Sequence, residues 1–441
     1  MSRLGNAGVL ICSRAVTISC GLLLGVETAR ADNLKIESVT VSPRDVRTAT
    51  VRFDISWDNS WRHEANHDAV WVFFKVRTDD KSEWRHVRLA ADKALNPAGY
   101  GQEKGTRLDF IVPHGEDGFL GMFVRRAEYG SGKVTAAKVT AVWDLGAKQG
   151  MPKDSQLSVR AFGVEMVFVP EGPYYLGSGG TEPHHFYQYT DGTQHTRPYR
   201  VTSAGAIPTG QQAGKLWTRR GAQPEDNGEL PVAFPNGYAA FYCMKFHVQV
   251  GQYTEFLNML GAEQAEARYT GNARYSQIGR SEKAPKYTCG SQDSWRDCVA
   301  LSWADGATFA AWAGLRPMTE LEYEKVTRGP MEPGWDTGDT LDHPSYWEVR
   351  NINGWRLPRE RPVTVANAKG RSFKGTHGRG TPALPADWPQ EDAVGAGIRG
   401  GHGAAGCPSN RLLADTVAPE RADYGWRGVR TAPREAGESN R

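Results

Sequence analysis

The chain has 441 residues, of which 50 are Gly, 25 are Pro and 14 are Trp. Lys and Arg together number 53 against 50 for Asp and Glu, so the formal net charge is only +3. This balance, without any block of like charge, argues against a nucleic-acid or acidic-membrane partner, and the composition favours a turn-rich β protein over a helical bundle.

The first 31 residues have the pattern of a cleaved export signal. Arg3 lies in a short basic start, an apolar stretch runs from Ala15 to Val26, and Ala29–Ala31 fits the small-x-small cleavage rule. Because no segment approaches the ~18 apolar residues of a membrane span, we expect a secreted or periplasmic protein beginning at Asp32. A lipoprotein would instead carry its lipid on Cys20, although the apolar stretch continues past that residue.

The mature chain, about 410 residues, is long enough for two domains with separate cores. From Leu34 to about Leu145, short segments with period-two apolar patterns are separated by Gly, Pro, Asn and Asp. Six or seven such strands over about a hundred residues are typical of an immunoglobulin-like β-sandwich. We therefore predict a β-sandwich module over residues 32–146, in which the segment 69–77 is the most densely apolar strand.

Four cysteines remain after export: Cys243, Cys289, Cys298 and Cys407. Cys289 and Cys298 enclose a turn-rich octet, and an even cysteine count in an oxidising compartment favours disulfides. We predict a bridge between these two residues. Zinc is disfavoured there because neither Cys nor His supplies two further ligands nearby.

After a linker at Gly146–Pro152, the second part begins near Val159. The segment 163–178 reads as two strands around a Pro-Glu-Gly turn, and the segment 239–261 passes from a strand into a helix that we expect Gly261 to end.

Two further helices are predicted between Val299 and Gly329. Ser302 is placed to cap the first helix, which stops at Gly314. A Thr-x-x-Glu capping box begins the second helix at Thr319, and Gly329 ends it.

The C-terminal part contains Arg399-Gly400-Gly401 and then Gly428-Val429-Arg430. Together with the hairpin, the strand–helix segment and the Ser-Trp-x-Asp and Thr-Glu-x-Glu patterns, this order resembles the formylglycine-generating enzyme, or sulfatase-modifying factor, family. The resemblance implies a C-type-lectin-like domain with little regular secondary structure over residues 159–433. The expected fold class is therefore α+β.

In catalytic members of that family, two cysteines just after Arg-Gly-Gly bind copper, and dioxygen then oxidises a substrate cysteine. This chain has only Cys407 there, and Arg411, Leu412 and Leu413 stand where the second cysteine is expected. His402, at the Ser position of the family's Arg-Gly-Gly-Ser, is the other polar candidate.

The family's calcium-binding loop and its Gly-Asn-x-Trp step look shortened in this chain. The carboxylates that remain as candidate calcium ligands are those of Asp336, Asp339 and Asp342, although a solvated acidic turn explains them as well. Asn353, Gly354 and Trp355 resemble a remnant of the Gly-Asn-x-Trp step.

Three functions remain open from the sequence. The first is an exported binding or scaffold protein on a catalytically degenerate domain, with a glycan, peptide or protein ligand. The second is a divergent copper- and dioxygen-dependent oxidoreductase that uses Cys407. The third is a metal-dependent enzyme that uses the histidines of one loop, His184, His185 and His195.

Overall fold

The structure, a computed structural model, describes most of the chain after the predicted export signal. The described residues are 32–79, 82–115, 118–146, 157–191, 197–224, 228–273, 276–333, 345–352, 359–400, 407–415 and 424–433. The predicted signal and most of the predicted linker lie outside these ranges, so export and processing stay predictions.

Eight strands occupy the region of the predicted sandwich. They are β1 (Lys35–Pro43), β2 (Thr48–Arg62), β3 (Asp68–Arg77), β4 (Arg85–His86), β5 (Lys104–Gly105), β6 (Leu108–Ile111), β7 (Met122–Arg126) and β8 (Gly130–Asp144). An antiparallel sheet with the order β1-β2-β8-β5 packs through Val51, Phe53 and Val139 onto a second sheet that contains β3. Two packed sheets are therefore present, while an immunoglobulin-like topology stays a prediction.

The second part consists mostly of short strands. They are β9 (Ser158–Val169), β10 (Tyr174–Leu176), β11 (Phe186–Gln188), β12 (Tyr199–Val201), β13 (Ile207–Pro208), β14 (Leu216–Thr218), β15 (Glu229–Leu230), β16 (Phe241–Met244), β17 (Asn272–Ala273), β18 (Ser276–Gln277), β19 (Gly279–Arg280), β20 (Tyr287–Thr288), β21 (Arg316–Pro317) and β22 (Gly428–Thr431). Ten of these strands pair only as two-stranded ribbons: β10 with β12, β11 with β14, β13 with β15, β17 with β18, and β19 with β20.

Five helices complete the described elements. They are α1 (Val250–Met259), α2 (Ala262–Arg268), α3 (Trp303–Ala313), α4 (Glu320–Arg328) and α5 (Ala368–Arg371). Within the described ranges, none of the helices combines the length and apolar character needed to cross a bilayer.

Helix boundaries follow the local signals except at one point. Ser302 caps α3 by accepting a hydrogen bond from the Asp305 N–H at 3.0 Å, and α3 ends at Gly314 with φ 73°. Thr319 and Glu322 form the predicted capping box of α4. The prediction for Gly261 is wrong: α1 ends at Leu260 in extended geometry, and Gly261 (φ −61°) is instead the N-cap of α2.

One eight-stranded sheet joins both parts of the chain. Its order is β21-β22-β16-β9-β3-β7-β6, with β4 also paired to β3. β3 and β9 pair antiparallel over ten positions, from Asp68 opposite Val167 to Arg77 opposite Ser158. The sequence predicted separable domains, but this pairing makes the two regions parts of one sheet. The division into residues 32–146 and 159–433 stays a prediction.

β3 is buried on both faces, which explains why residues 69–74 are all apolar. Val70 and Val72 face the first sheet, whereas Trp71 and Phe73 belong to the core of the second part. Successive strand residues point to opposite faces, so a strand covered on both sides is predominantly apolar rather than alternating. Trp71 is fixed further by a 2.8 Å hydrogen bond from its Nε1 to the Ala313 carbonyl at the end of α3.

Candidate functional site

Helix α4 carries three buried glutamates at alternate positions, Glu320, Glu322 and Glu324. Each of them pairs with at least one arginine from another part of the fold. Buried carboxylates need such partners because an uncompensated charge away from water is very costly. The helix therefore serves as a charged hub on which the surrounding loops are assembled.

Glu320 holds the segment that follows Cys407. Arg411 contacts both carboxylate oxygens of Glu320, with Nε to Oε2 and Nη2 to Oε1 each at 2.8 Å. The Val365 N–H donates to Oε1 as well, at 2.8 Å. Burial acts to raise the pKa of Glu320, but Arg411, together with Arg399 and the Val365 N–H, outweighs it and holds this pKa below its ordinary value.

Glu324 holds the same segment from its other end. Arg399 Nη2 donates to Glu324 Oε1 at 2.6 Å, while Arg399 Nη1 donates to the carbonyls of Pro408 and Asn410 at 3.0 and 2.7 Å. Arg399 of the Arg-Gly-Gly motif therefore fixes the backbone on both sides of Ser409.

Cys407 lies at the centre of this arrangement and is only 1% exposed. Its thiol donates to Glu182 Oε1 at 3.5 Å and lies 3.2 Å from Ser409 Oγ. Ser178 donates to the other oxygen of Glu182 at 2.6 Å. Both of these partners of the Cys407 sulfur are therefore oxygen groups.

Sequence reasoning missed Glu182, Ser178 and Ser409. Glu182 lies 225 positions before Cys407, and no local spacing connects the two. The loop of Glu182 reaches Cys407 because Arg411 binds it: the Arg411 N–H donates to the Pro183 carbonyl, and Nη1 donates to the His184 carbonyl, both at 3.0 Å. The sequence marked this loop only through its two adjacent histidines, His184 and His185, and gave no sign that it contacts Cys407.

The loop histidines do not assemble a metal site in the described structure. His185 is fully buried and donates from Nδ1 to the Glu182 carbonyl at 2.6 Å. His184 has a left-handed backbone (φ 58°), and burial followed by the charge of Arg411 lowers the pKa of its ring. His195 lies outside the described residues. Across the ranges described above, no group of three or more His, Cys, Asp and Glu residues is arranged to hold a metal ion.

Cys243 lies in a different environment from Cys407. It sits in β16 opposite Val167 of β9 and Val429 of β22, and its sulfur contacts the Met244 carbonyl at 3.6 Å. Burial raises the pKa of this thiol to about 12. Cys243 is therefore a protonated core residue at neutral pH.

The predicted bridge between Cys289 and Cys298 is not formed in the structure, which contains no disulfide among Cys243, Cys289, Cys298 and Cys407. The Cys298 N–H donates to the Val248 carbonyl at 2.7 Å, and its side chain is fully buried in the core. Cys289 packs against the same core from a half-buried position. Bridging under oxidising conditions stays a prediction.

A known protein family matches the second part of the chain, as the sequence motifs indicated. The sulfatase-modifying factor enzyme 1-like domain matches residues 154–433, which is more than half of the chain. The chain belongs to the sulfatase-modifying factor family. No curated protein matches it.

The donor set around Cys407 does not fit the copper site of catalytic sulfatase-modifying factors. Copper(I) prefers soft thiolate ligands, and two are required for the family's chemistry. Here one thiol is hydrogen-bonded to Glu182 and Ser409, and Cys243 is committed to the apolar core of the central sheet. The position of the second cysteine is occupied by a segment whose Arg411 is buried against Glu320.

The other candidates from the family resemblance lie outside the described residues. These are His402, the possible calcium ligands Asp336, Asp339 and Asp342, and the remnant Asn353, Gly354 and Trp355. Calcium binding therefore stays a prediction from the sequence.

Proposed function

We propose that this sulfatase-modifying factor protein is an exported binding module in which Cys407 does not serve as a copper ligand. The observation that carries the proposal is the environment of the Cys407 thiol. A thiol that donates a hydrogen bond to a carboxylate retains its proton, whereas a metal ligand must lose it.

The segment after Cys407 also resists rearrangement. Ser409, Asn410 and Arg411 are all buried, and Arg411 has four side-chain contacts, to Glu320, to the His184 carbonyl and to the Ala222 carbonyl. Moving this segment to recruit another ligand would remove Arg411 from the buried carboxylate of Glu320. Removal of one partner from a buried ion pair costs about 3–5 kcal/mol.

The loops of residues 159–433 are suited to binding a ligand. Long irregular segments connect the short strands of residues 159–433, and a rigid charged hub at α4 supports them. Loops held on a rigid scaffold are a common location for binding residues. The ligand class that this proposal names is a glycan or a peptide.

Copper binding and turnover test the proposal together. The processed protein would be titrated anaerobically with copper(I) against a chromogenic chelator, and then incubated in air with a Cys-x-Pro-x-Arg peptide while the peptide mass is followed. We expect no stoichiometric copper binding and no mass loss at the peptide cysteine.

Two matched thiol variants, Cys407→Ser and Cys243→Ser, make the result specific. Equimolar copper binding and peptide oxidation that disappear in Cys407→Ser but persist in Cys243→Ser would overturn the proposal in favour of the oxidoreductase. A panel of glycans and peptides tests the binding role directly. We expect micromolar, copper-independent binding without chemical change to the ligand.

A further inference from the structure

A cavity of about 470 Å³ lies where the N-terminal strands meet the family domain. The loop after β6 contributes His114 and Gly115, the segment after α5 contributes Lys374 and His377, and β22 contributes Arg430. Among the described residues, all the ionisable side chains that line the cavity are basic. The cavity is distant in sequence from Cys407 and uses none of the residues of that site.

Arg430 is the unusual residue in this cavity. It is 1% exposed, its guanidinium lies 4.6 Å from the centre of the Trp71 ring, and Nη1 donates to the Gly314 carbonyl. Its Nε has no hydrogen-bond partner among the residues that the structure describes. Burial, followed by the charge of Arg316, lowers the pKa of Arg430 to about 9.

Four other buried arginines of this protein have carboxylate partners, which makes the contrast informative. The pairs are Arg316–Glu322, Arg399–Glu324, Arg411–Glu320 and Arg427–Glu360. For Arg430, no carboxylate of the described residues lies within ion-pair distance. A buried cation without a counter-ion is costly, so the missing partner is expected to come from a ligand.

His377 provides a second donor at the same cavity. Its Nε2 accepts a hydrogen bond from the Thr431 N–H at 3.1 Å, so the neutral ring carries its proton on Nδ1. Burial, and then the charges of Arg430 and Arg316, holds the pKa of His377 well below its ordinary value. No described residue accepts the remaining N–H. Lys374, which is exposed at the rim, adds positive charge at the entrance.

We propose that this cavity binds a small anionic ligand through a carboxylate or phosphate group, with Arg430 as the charged partner, His377 as a neutral donor and Lys374 at the entrance. The planar fork of a guanidinium matches two oxygens of either group. The volume is within the range of small-molecule sites, which is roughly 300–1,000 Å³. The site exists only because both parts of the chain contribute to it, and it stands independently of the function proposed for the Cys407 region.

Calorimetric titration of the processed protein with inorganic phosphate and, separately, with citrate tests this site and distinguishes the two ligand groups. We expect saturable one-to-one binding of at least one of them. Arg430→Lys retains the charge but removes the fork, and it should weaken binding at least tenfold. Lys374→Glu should weaken binding several-fold while leaving the fold intact, because that side chain is exposed. Lys104→Glu, with the same charge change on the other sheet, is the matched control and should bind as the unmodified protein does.

Three results would overturn the proposal. One is no saturable binding of either anion at millimolar concentration. Another is equal loss of binding in Lys374→Glu and Lys104→Glu, since that would show a net-charge effect alone. The third concerns Glu116 and Asp117, which follow Gly115 in the sequence and lie outside the described residues. Binding that appears only in the Glu116→Gln/Asp117→Asn double variant would show that the chain supplies its own counter-ion.

Discussion

Replacing Arg411 by Met tests whether the charged hub on α4 supports the Cys407 region. Met fills much of the same volume but removes the charge that contacts both oxygens of Glu320. Glu320 would remain fully buried and would keep the Val365 N–H as a neutral donor and one charged partner, Arg399, whose Nε lies 3.5 Å from Oε2. Loss of one partner from a buried ion pair costs about 3–5 kcal/mol. Because Arg399 remains, we expect the free energy of unfolding to fall by about 3 kcal/mol at pH 7, the lower end of that range.

The stability lost in Arg411→Met should depend on pH and should be smaller in acid. Burial is the largest influence on the pKa of Glu320 and acts to raise it, so removal of Arg411 is expected to move this pKa upward from its lowered value. A carboxyl with a lowered folded-state pKa adds stability above its unfolded pKa and loses it as pH falls, so a variant in which that pKa has moved upward has less of this stability to lose. The difference between Arg411→Met and the unmodified protein should therefore be smaller at pH 4.5 than at pH 7.

Urea denaturation followed by tryptophan fluorescence measures this effect, and Arg107→Met is the matched control. Arg107 pairs with Glu128 at 3.4 Å on the surface, where both side chains are at least 70% exposed. Exposed pairs contribute about 0–1 kcal/mol, so the control should lose little stability. Equal losses in the two variants, or a loss in Arg411→Met that does not change with pH, would refute the assignment of α4 as a charged hub.

Three other measurements address the rest of the fold. The pKa of Glu360 is lowered to about 2 because His247 and Arg427 outweigh burial. The stability that this carboxylate adds is therefore lost as pH falls from about 4.5 toward 2. Glu360→Gln should flatten that acid decline in Tm. Proteolytic cleavage within residues 147–156 should leave two fragments that co-elute in gel filtration until denaturant is added, and fragments that separate in buffer would contradict the shared sheet. Gly306→Ala should cost about 1–3 kcal/mol by thermal denaturation, because its new Cβ would lie 2.2 Å from the Trp426 ring, and an unchanged Tm would show that the ring has room to move.

Local signals in the sequence predicted local structure well. The caps at Ser302 and Thr319 are formed as expected, because each involves only a side chain and a backbone N–H three residues later. The error at Gly261 has the same origin. A glycine suits a left-handed helix end but does not require it, and here the following helix α2 takes this residue as its N-cap.

Contacts between residues far apart in the chain could not be predicted from the sequence. The resemblance singled out Cys407, but Glu182 is brought to it by Arg411, and that contact depends on the complete fold. The same holds for the interface between the two parts. The dense apolar pattern of residues 69–77 is compatible with any strand covered on both faces, and it does not say that β9 is its neighbour.

The two covered faces of β3 impose an order on how the chain can fold. A chain growing from its N-terminus exposes Trp71 and Phe73 until β9 and the helix that supplies Trp312 have been made, since these close the second face. Contacts between residues about 90 positions apart form slowly, and an apolar strand with one edge still unpaired invites association with other chains during that time. A fragment that stops at Gly146 would keep this strand exposed permanently and is expected to aggregate. We therefore expect the N-terminal strands to need the family domain in order to remain soluble, because the second face of β3 is covered only once Trp312 has been synthesised.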